Sequence, residues 1–261
     1  MVAANHSALR KYLDFITRNY QINLCFNDFT GFVALDKDLD EILQPLMAHT
    51  NPYCMYIKSD RACFNRCLSL KKKIAEKSIK KRQTFFGVCH AGVGEYIIPI
   101  YCQEELVGVI NAGLFQVQPA LASYFIRKTC RGTPLSQENA IRLYLGSTRK
   151  TYPDLDTVAA ILELVAAYLG NAYLTIMATH SGLSLGKRYR SSEDSILAHI
   201  LDYIKCNYTE ALTVPEIARF CHCSESYVNH LFKKRVGINI KMYINKIRIE
   251  AAQEELTRSD R

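Results

Sequence analysis

Ser224-Glu-Ser-Tyr-Val-Asn-His-Leu-Phe-Lys-Lys-Arg-Val-Gly237 has the marks of a short helix with both ends specified. Serine is a favoured N-cap, and glycine stops a helix by taking a left-handed conformation. Between them, Tyr227, Val228, Leu231 and Phe232 fall on one face. The opposite face carries Ser226, Asn229, His230 and Lys233, followed by Lys234, side chains long enough to reach base edges and phosphates. Upstream, Thr213-Val-Pro-Glu216 is a capping box, with proline in the first turn where it gives up no intrahelical hydrogen bond. It opens a shorter helix with Ile217, Ala218 and Phe220 on its apolar side, and Cys221-His-Cys223 makes a turn. Two short helices across a tight turn are the helix-turn-helix unit, whose second helix enters the major groove of double-stranded DNA. From Ser226 to Ile249 there are six Lys or Arg and no Asp or Glu, a local footprint for phosphates.

The pattern Ser224-x-x-Tyr227-x-x-x-Leu231-Phe232-Lys233-Lys234-x-x-Gly237, then Tyr243 and Arg248-Ile-x-x-Ala251, resembles the first helix-turn-helix of the AraC/XylS family of transcription regulators. That resemblance implies two such units joined by a long helix, here Asn239 to about Thr257. A second unit would extend past Arg261, so the expectation is a truncated DNA-binding domain carrying the first unit.

The whole chain sets wider bounds. Its 261 residues suit two domains, and 49% apolar with 22% charged residues is ordinary globular material. No apolar run is read as a membrane span, and no signal peptide precedes His6. Ten cysteines without a secretory signal read as reduced thiols, which places the expected location in the cytoplasm. The net charge of +8 is spread unevenly: residues 1–180 hold 20 basic and 15 acidic groups, whereas 193–261 hold 10 of each. DNA binding would therefore rest on local clustering, not on domain charge.

From the N-terminus, residues 5–19 read as an amphipathic helix with Leu9, Leu13 and Ile16 on one side. Ile22 to Phe26 and Gly31 to Leu35 read as strand, turn and strand around Asn27-Asp28. Asp38-x-x-Glu41 is expected to cap a helix through Leu46. Residues 58–82 carry ten Lys or Arg; a helix with Ala62, Leu70, Ile74 and Ile79 turned inward and lysines in water accounts for them.

Phe85-Phe-Gly-Val-Cys-His-Ala-Gly-Val-Gly-Glu-Tyr-Ile-Ile-Pro-Ile100 is two β-rich runs about a glycine-rich bend, and Glu105 to Phe115 is a further strand. Gly108 and Gly113 lie inside it, where something must approach the backbone closely. Cys89-His-Ala-Gly-x-x-Glu95, Ile98-Pro-Ile100 and Val107-Gly-Val-Ile-x-Ala-Gly113 resemble the PocR-type sensory domain, over about residues 5–175. Cys54, Asp60, Cys63 and Cys67 resemble the cysteine-rich opening of that family. The resemblance implies a PAS-like fold and a small organic effector, diol-like as for the propanediol-responsive archetype.

Helices are expected over 119–130 and 137–146, the second capped by Ser136. From Pro153 to Thr179, Leu155, Leu162, Leu169 and Ile176 recur every seven residues. Val158, Val165 and Ala172 complete an a/d seam. It suits either a homodimer interface or packing on the sensor's own sheet, and Gly170 weakens a stiff rod. Residues 181–192 read as a linker, dividing a sensor at 1–180 from a partial DNA-binding domain at 193–261, which opens with an amphipathic helix from Ser195 to Tyr208.

Cys54, Cys63, Cys67 and Cys89, with His90 beside the last, could form a metal or redox site, or could be small core residues. No nucleophile elbow, phosphate loop or zinc-protease helix is present, so no enzyme and no cofactor is expected. A small polyol needs donors and acceptors in an apolar cavity. His90, Glu95 and Asn111 are the polar side chains nearest the glycine-marked strand positions, with Tyr96 and Phe115 expected as walls. The expected chain is α+β: an antiparallel sheet with flanking helices, then an all-α helix-turn-helix domain. Its implied work is to regulate transcription in response to a small metabolite, with metal or redox sensing by the cysteines as the alternative.

Overall fold

The computed structural model of the chain describes residues 6–151, 153–179 and 192–259. The chain divides into two compact units, Met1–Arg190 and Ser191–Arg261. The expected linker, up to Ser191, lies outside the described residues.

In the first unit, β1 (Asn23–Asp28), β2 (Phe85–Val88), β3 (Val93–Cys102) and β4 (Glu105–Gln116) form one antiparallel sheet in the order β1-β4-β3-β2. Successive side chains alternate between its faces. Tyr96, Ile98, Ile100, Ile110 and Ala112 share a core with Leu9, Leu13 and Ile16 of α1 (Ser7–Tyr20) and with α7 (Leu155–Thr179). The other face sends Ile97 and Val109 against Ala75 of α4 (Arg61–Lys81). Between α1 and α4 run α2 (Lys37–Leu43) and α3 (Pro52–Lys58); α5 (Pro119–Cys130) and α6 (Gln137–Ser147) follow the sheet.

The glycines of β4 are close-approach positions, and what approaches is neighbouring strand. A Cβ on Gly108 would stand 2.7 Å from the Asn27 carbonyl oxygen, and one on Gly113 would stand 2.8 Å from that of Gly94. Gly170 has the same purpose in a helix. Any side chain there would collide with the Tyr101 carbonyl, so glycine lets α7 lie close on β3.

That packing decides between the two readings of the heptad seam. Val158, Leu162, Val165, Leu169 and Ile176 are all 5% exposed or less within the first unit. The seam is taken up by the sheet and is not a free dimer surface. Leu155, the first residue of the pattern, is 39% exposed and stands outside the seam. The helix also corrects the reading that no stretch resembles a membrane span. By length and composition Leu155–Thr179 is apolar enough to cross one; its seam residues pack within the first unit, while Leu164 and Leu174 stay exposed.

Other local expectations shift. Phe32–Leu35 is a 3-10 turn, not a strand. Asp28 explains this, because its carboxylate accepts backbone N–H bonds from Thr30 (2.9 Å), Gly31 (2.7 Å) and Val33 (3.1 Å) and curls the chain. The cap of α2 is Asp36, which accepts from the Leu39 N–H, and not Asp38. Asp60 caps α4. The buried residues of α4 are Cys63, Phe64, Ala75 and Ser78, while Ala62 is exposed and Ile79 is 54% exposed. The expected stripe was displaced because the lysine run hides the true register.

In the second unit, α8 (Ser192–Asn207), α9 (Val214–Phe220), α10 (Glu225–Val236) and α11 (Ile240–Ser259) enclose a core of Ile200, Ile204, Ile217, Val228, Leu231, Phe232, Ile240 and Ile244. Glu216 reaches back to the Thr213 N–H at 2.8 Å and hydroxyl at 2.7 Å. Ser224 accepts from the Tyr227 N–H, and Gly237 ends α10 at φ 82° with its N–H on the Lys233 carbonyl. His222 takes a positive φ of 53° within the turn.

Candidate functional site

The bend from Cys89 to Gly92 is held on every side. Gly92 adopts φ 84°, and the Cys89 sulfur accepts from the N–H groups of Ala91 and Val93, each at 3.4 Å. Three hydroxyls hold its carbonyls: Thr129 donates to His90 (2.9 Å), Tyr53 to Ala91 (2.6 Å) and Tyr144 to Gly92 (3.2 Å). Residues of α3, α5 and α6 thus fix the strand that leads into Glu95.

Glu95 is 6% exposed and stands on the α4 side of the sheet. Its Oε1 lies 2.8 Å from His49 Nε2, and its Oε2 accepts from Asn111 at 3.2 Å. Asn111 in turn accepts from Asn27 at 3.0 Å, and Lys58, itself 5% exposed, donates to the His49 carbonyl at 2.7 Å. Burial works against both charges of the central pair. Even so, His49, Asn111 and the Lys58 charge hold the Glu95 pKa below its ordinary value, and Glu95 with Cys25 holds that of His49 well above. The pair is ionised at neutral pH. The His49–Glu95 contact is an ion pair without hydrogen-bond alignment, and Asn51 Nδ2, two residues along the chain, is buried without a partner. Buried polar atoms of this kind are costly unless satisfied.

The expected site is therefore divided. Glu95 and Asn111 come together, joined by His49, Lys58 and Asn27. Tyr96 follows Glu95 in the strand and must face the opposite way. Its hydroxyl donates to the Pro153 carbonyl at 3.0 Å, and its ring meets Phe115 at 5.8 Å in the core under α7. Tyr96 and Phe115 do not wall the Glu95 cluster. His90 sits at the bend with Nε2 3.0 Å from the Cys67 sulfur and a buried, unpartnered Nδ1. Burial and the Arg66 charge lower its pKa to about 4.

Burial favours the thiol form of Cys63, Cys67 and Cys89. Cys63 directs its sulfur at the Thr129 carbonyl, 3.7 Å away. Burial, with Asp60 beside it, pushes its pKa up to about 12. Burial likewise raises Cys67 to about 11 and moves Cys89 upward. Thiolates, not thiols, ligate metals. Among the described residues no group of three or more His, Cys, Asp or Glu is arranged to hold a metal ion, and Cys54 joins no such group.

The second unit presents the other candidate surface. Val228, Leu231 and Phe232 are buried, and Tyr227 is half-buried. Ser226, Asn229, His230, Lys233 and Lys234 are exposed along the opposite side of α10. Arg248 of α11 donates to the carbonyls of Tyr208 and Glu210, both at 2.7 Å, bracing the loop before α9.

Sequence reasoning missed His49, Lys58 and Asn27. His49 lies in a connection with no periodicity, Lys58 was one of many lysines, and Asn27 was read as a turn although it lies within β1. The only signal was a polar residue after the largely apolar Ile22–Phe26 run.

Comparison with known proteins gives a match to the sensory domain found in PocR over residues 9–173. The regulatory protein PocR of Salmonella typhimurium is 22% identical over 249 residues, spanning 92% of this chain and 81% of the relative. The bifunctional transcriptional activator/DNA repair enzyme AdaA of Bacillus subtilis is 37% identical over 62 residues, 24% of this chain and 29% of that protein. The HTH-type transcriptional regulator YtdP of Bacillus subtilis is 28% identical over 93 residues, 36% of this chain and 12% of that protein. No solved structure matches.

Proposed function

The chain belongs to the family defined by the sensory domain found in PocR, and from that premise we propose that it is a ligand-responsive regulator of transcription. One observation carries the reading. The same chain holds a sensor unit with a buried, ionised polar cluster and a helix-turn-helix with a polar outer face on α10. The relatives named above as transcriptional regulators support it. In this reading the sheet with α7 on one face and α4 on the other is a PAS-like sensor. The second unit is an AraC-type DNA-binding domain, with α11 as the helix that would join two helix-turn-helix units. Exposed Ile249 and Leu256 on α11 are apolar surface that a further unit would cover.

The effector is a small polar organic molecule, diol-like as the resemblance implies, held by Glu95, Asn111 and His49. His90, at the bend, positions the strand that carries Glu95. Ser226, Asn229 and His230 read bases, and Lys233 and Lys234 hold phosphates. The protein works in the cytoplasm on double-stranded DNA, as a homodimer whose interface lies elsewhere than the buried seam of α7. Linkage supplies the mechanism: an effector that binds one arrangement of the sensor more tightly shifts the population of DNA-binding states by that difference in affinity.

The test is selection of bound DNA from a random pool by wild type and by Asn229→Ala, with and without added propane-1,2-diol. The expected result is a distinct consensus for wild type, loss of preference at one base position in the variant, and effector-dependent affinity. Absence of any consensus in wild type would contradict the reading.

A further inference from the structure

A pocket of about 550 Å³ opens between α4 and α5, away from the Glu95 cluster. Four cations line it: Arg66 and Lys73 from α4, Lys128 from α5, and Arg131 just past the end of α5. No carboxylate lines it, and none of the four has a carboxylate partner among the described residues. Lys128 and Arg131 answer the negative end of the α5 dipole. Arg66 and Lys73 stand inside α4 and have no such reason to face the same space. Like charges gathered in a concavity repel one another and stabilise the fold only when an anion joins them.

The rest of the lining suits a small organic anion. Leu70 and Phe125 supply apolar wall, and His90 forms part of the floor. The Ser69 and Thr129 hydroxyls already donate to the carbonyls of Arg66 and His90. The charged groups are therefore the donors left for a ligand. His90 stays neutral beside them, since burial and Arg66 disfavour its protonation. It also contacts Cys67 across the wall.

We infer that the α4–α5 pocket is a binding site for a small polyanion, carrying either phosphoryl or several carboxylate groups, distinct from the effector cluster at Glu95. Two or more negative charges are needed to answer four cations, and the concave shape and volume fit a metabolite-sized ligand. The site stands independently of the effector reading, because none of its cations touches Glu95 or His49.

The experiment is calorimetric titration of the whole 261-residue chain with inorganic pyrophosphate and with citrate, in phosphate-free buffer at low salt. Wild type is expected to bind at least one of them, and which one identifies the source of the charge. Lys73→Gln combined with Arg131→Gln should weaken that binding ten-fold or more, whereas Lys80→Gln, on the same helix outside the pocket, should leave it unchanged. Lys73 and Arg131 are exposed, so the double variant should melt with wild type; if it does not, Lys128→Gln alone gives the same reading. Absence of heat in wild type, or equal weakening by Lys80→Gln, would overturn the site. So would loss of random duplex DNA binding in the double variant when neither small anion binds, since these cations would then serve nucleic acid.

Discussion

The two faces of one sheet in the first unit bury different chemistry. Toward α7 the strands place Tyr96, Ile98, Ile100, Ile110 and Ala112 in a core that takes in α1 and α7. Toward α4 the same strands place Glu95 and Asn111 among His49, Lys58 and Asn27. A period of two produces both from alternate residues. One face stabilises by area alone, whereas the other adds to its smaller apolar cluster of Ala75, Ile97 and Val109 ionised groups that burial alone would neutralise. The comparison teaches that the responsive part of this unit needs the inert part: only a rigidly backed strand keeps Glu95 2.8 Å from His49.

The largest effect should come from breaking the inert face. Gly170→Leu would drive a side chain into the Tyr101 carbonyl, and backbone cannot move aside as a side chain can. A loss of about 5 kcal/mol or more is expected, comparable with the whole stability of a small domain. Thermal melting should show the first transition abolished while α8–α11 still melt. A variant that melts like wild type would mean α7 does not lie on β3 in solution.

Next comes the charged face. Glu95→Ala leaves His49 and Lys58 as buried charges without their carboxylate and should cost about 3–5 kcal/mol. Its pH dependence is specific. The Glu95 pKa is depressed, so its stabilisation is present above the ordinary 4.5 and fades as pH falls through the folded value. The His49 pKa is raised, so its share is full below 6.5 and fades as pH rises through the folded value. The pair's contribution to wild-type stability should therefore be flat between those two pH values and fade on both sides. In Glu95→Gln, by contrast, the buried His49 is left without its carboxylate, and stability should be lost as pH falls below 6.5. Chemical denaturation across the range checks it, and identical pH profiles for the two proteins would remove the ion pair.

How much of this contrast was legible in the sequence follows from the same physics. Local rules were strong where one residue type does one thing: Ser224, Gly237, the Thr213–Glu216 box and Ser136 all cap as read. The β-rich runs about the glycine bend located β3 and β4, and the glycines inside β4 flagged close approach. What could not be read was which partner came from afar. His49 joins Glu95 from 46 positions away along the chain, and nothing in its own neighbourhood marks it. Asp28 looked like a hairpin turn because its carboxylate bonds are visible only once the chain has curled. Tyr96 and Phe115 were drawn into the ligand site by proximity in sequence, although strand parity sends Tyr96 to the other face.

A smaller effect separates the base-reading and phosphate-holding parts of α10. Asn229→Ala should cost about 1–3 kcal/mol at one base position, while Lys233→Ala should weaken all sequences and flatten the salt dependence of binding. Fluorescence anisotropy on matched and single-mismatch duplexes distinguishes them. Uniform weakening by Asn229→Ala would reverse the facing of the helix.

The smallest concerns His90. Its lowered pKa means that the unfolded chain takes up a proton between about 4 and 6.5 that the folded chain refuses. Folding stability should thus fall on acidification through that window, by no more than about 1 kcal/mol per pH unit after allowing for its partial exposure. His90→Gln should remove that component, and an unchanged slope would show that His90 is solvated.

The central claim is that the charged face of the sheet, and not its apolar face, receives the effector. Calorimetric titration of propane-1,2-diol and its two- to four-carbon relatives into wild type, Glu95→Gln and Leu162→Ala tests it most directly. Leu162 is fully buried on the apolar face, and its truncation should cost about 2–5 kcal/mol of stability through the cavity it leaves. The account expects a diol to bind wild type and Leu162→Ala alike and to lose ten-fold or more in Glu95→Gln, with melting curves showing all three folded. Equal affinity in Glu95→Gln, or loss confined to Leu162→Ala, would contradict it.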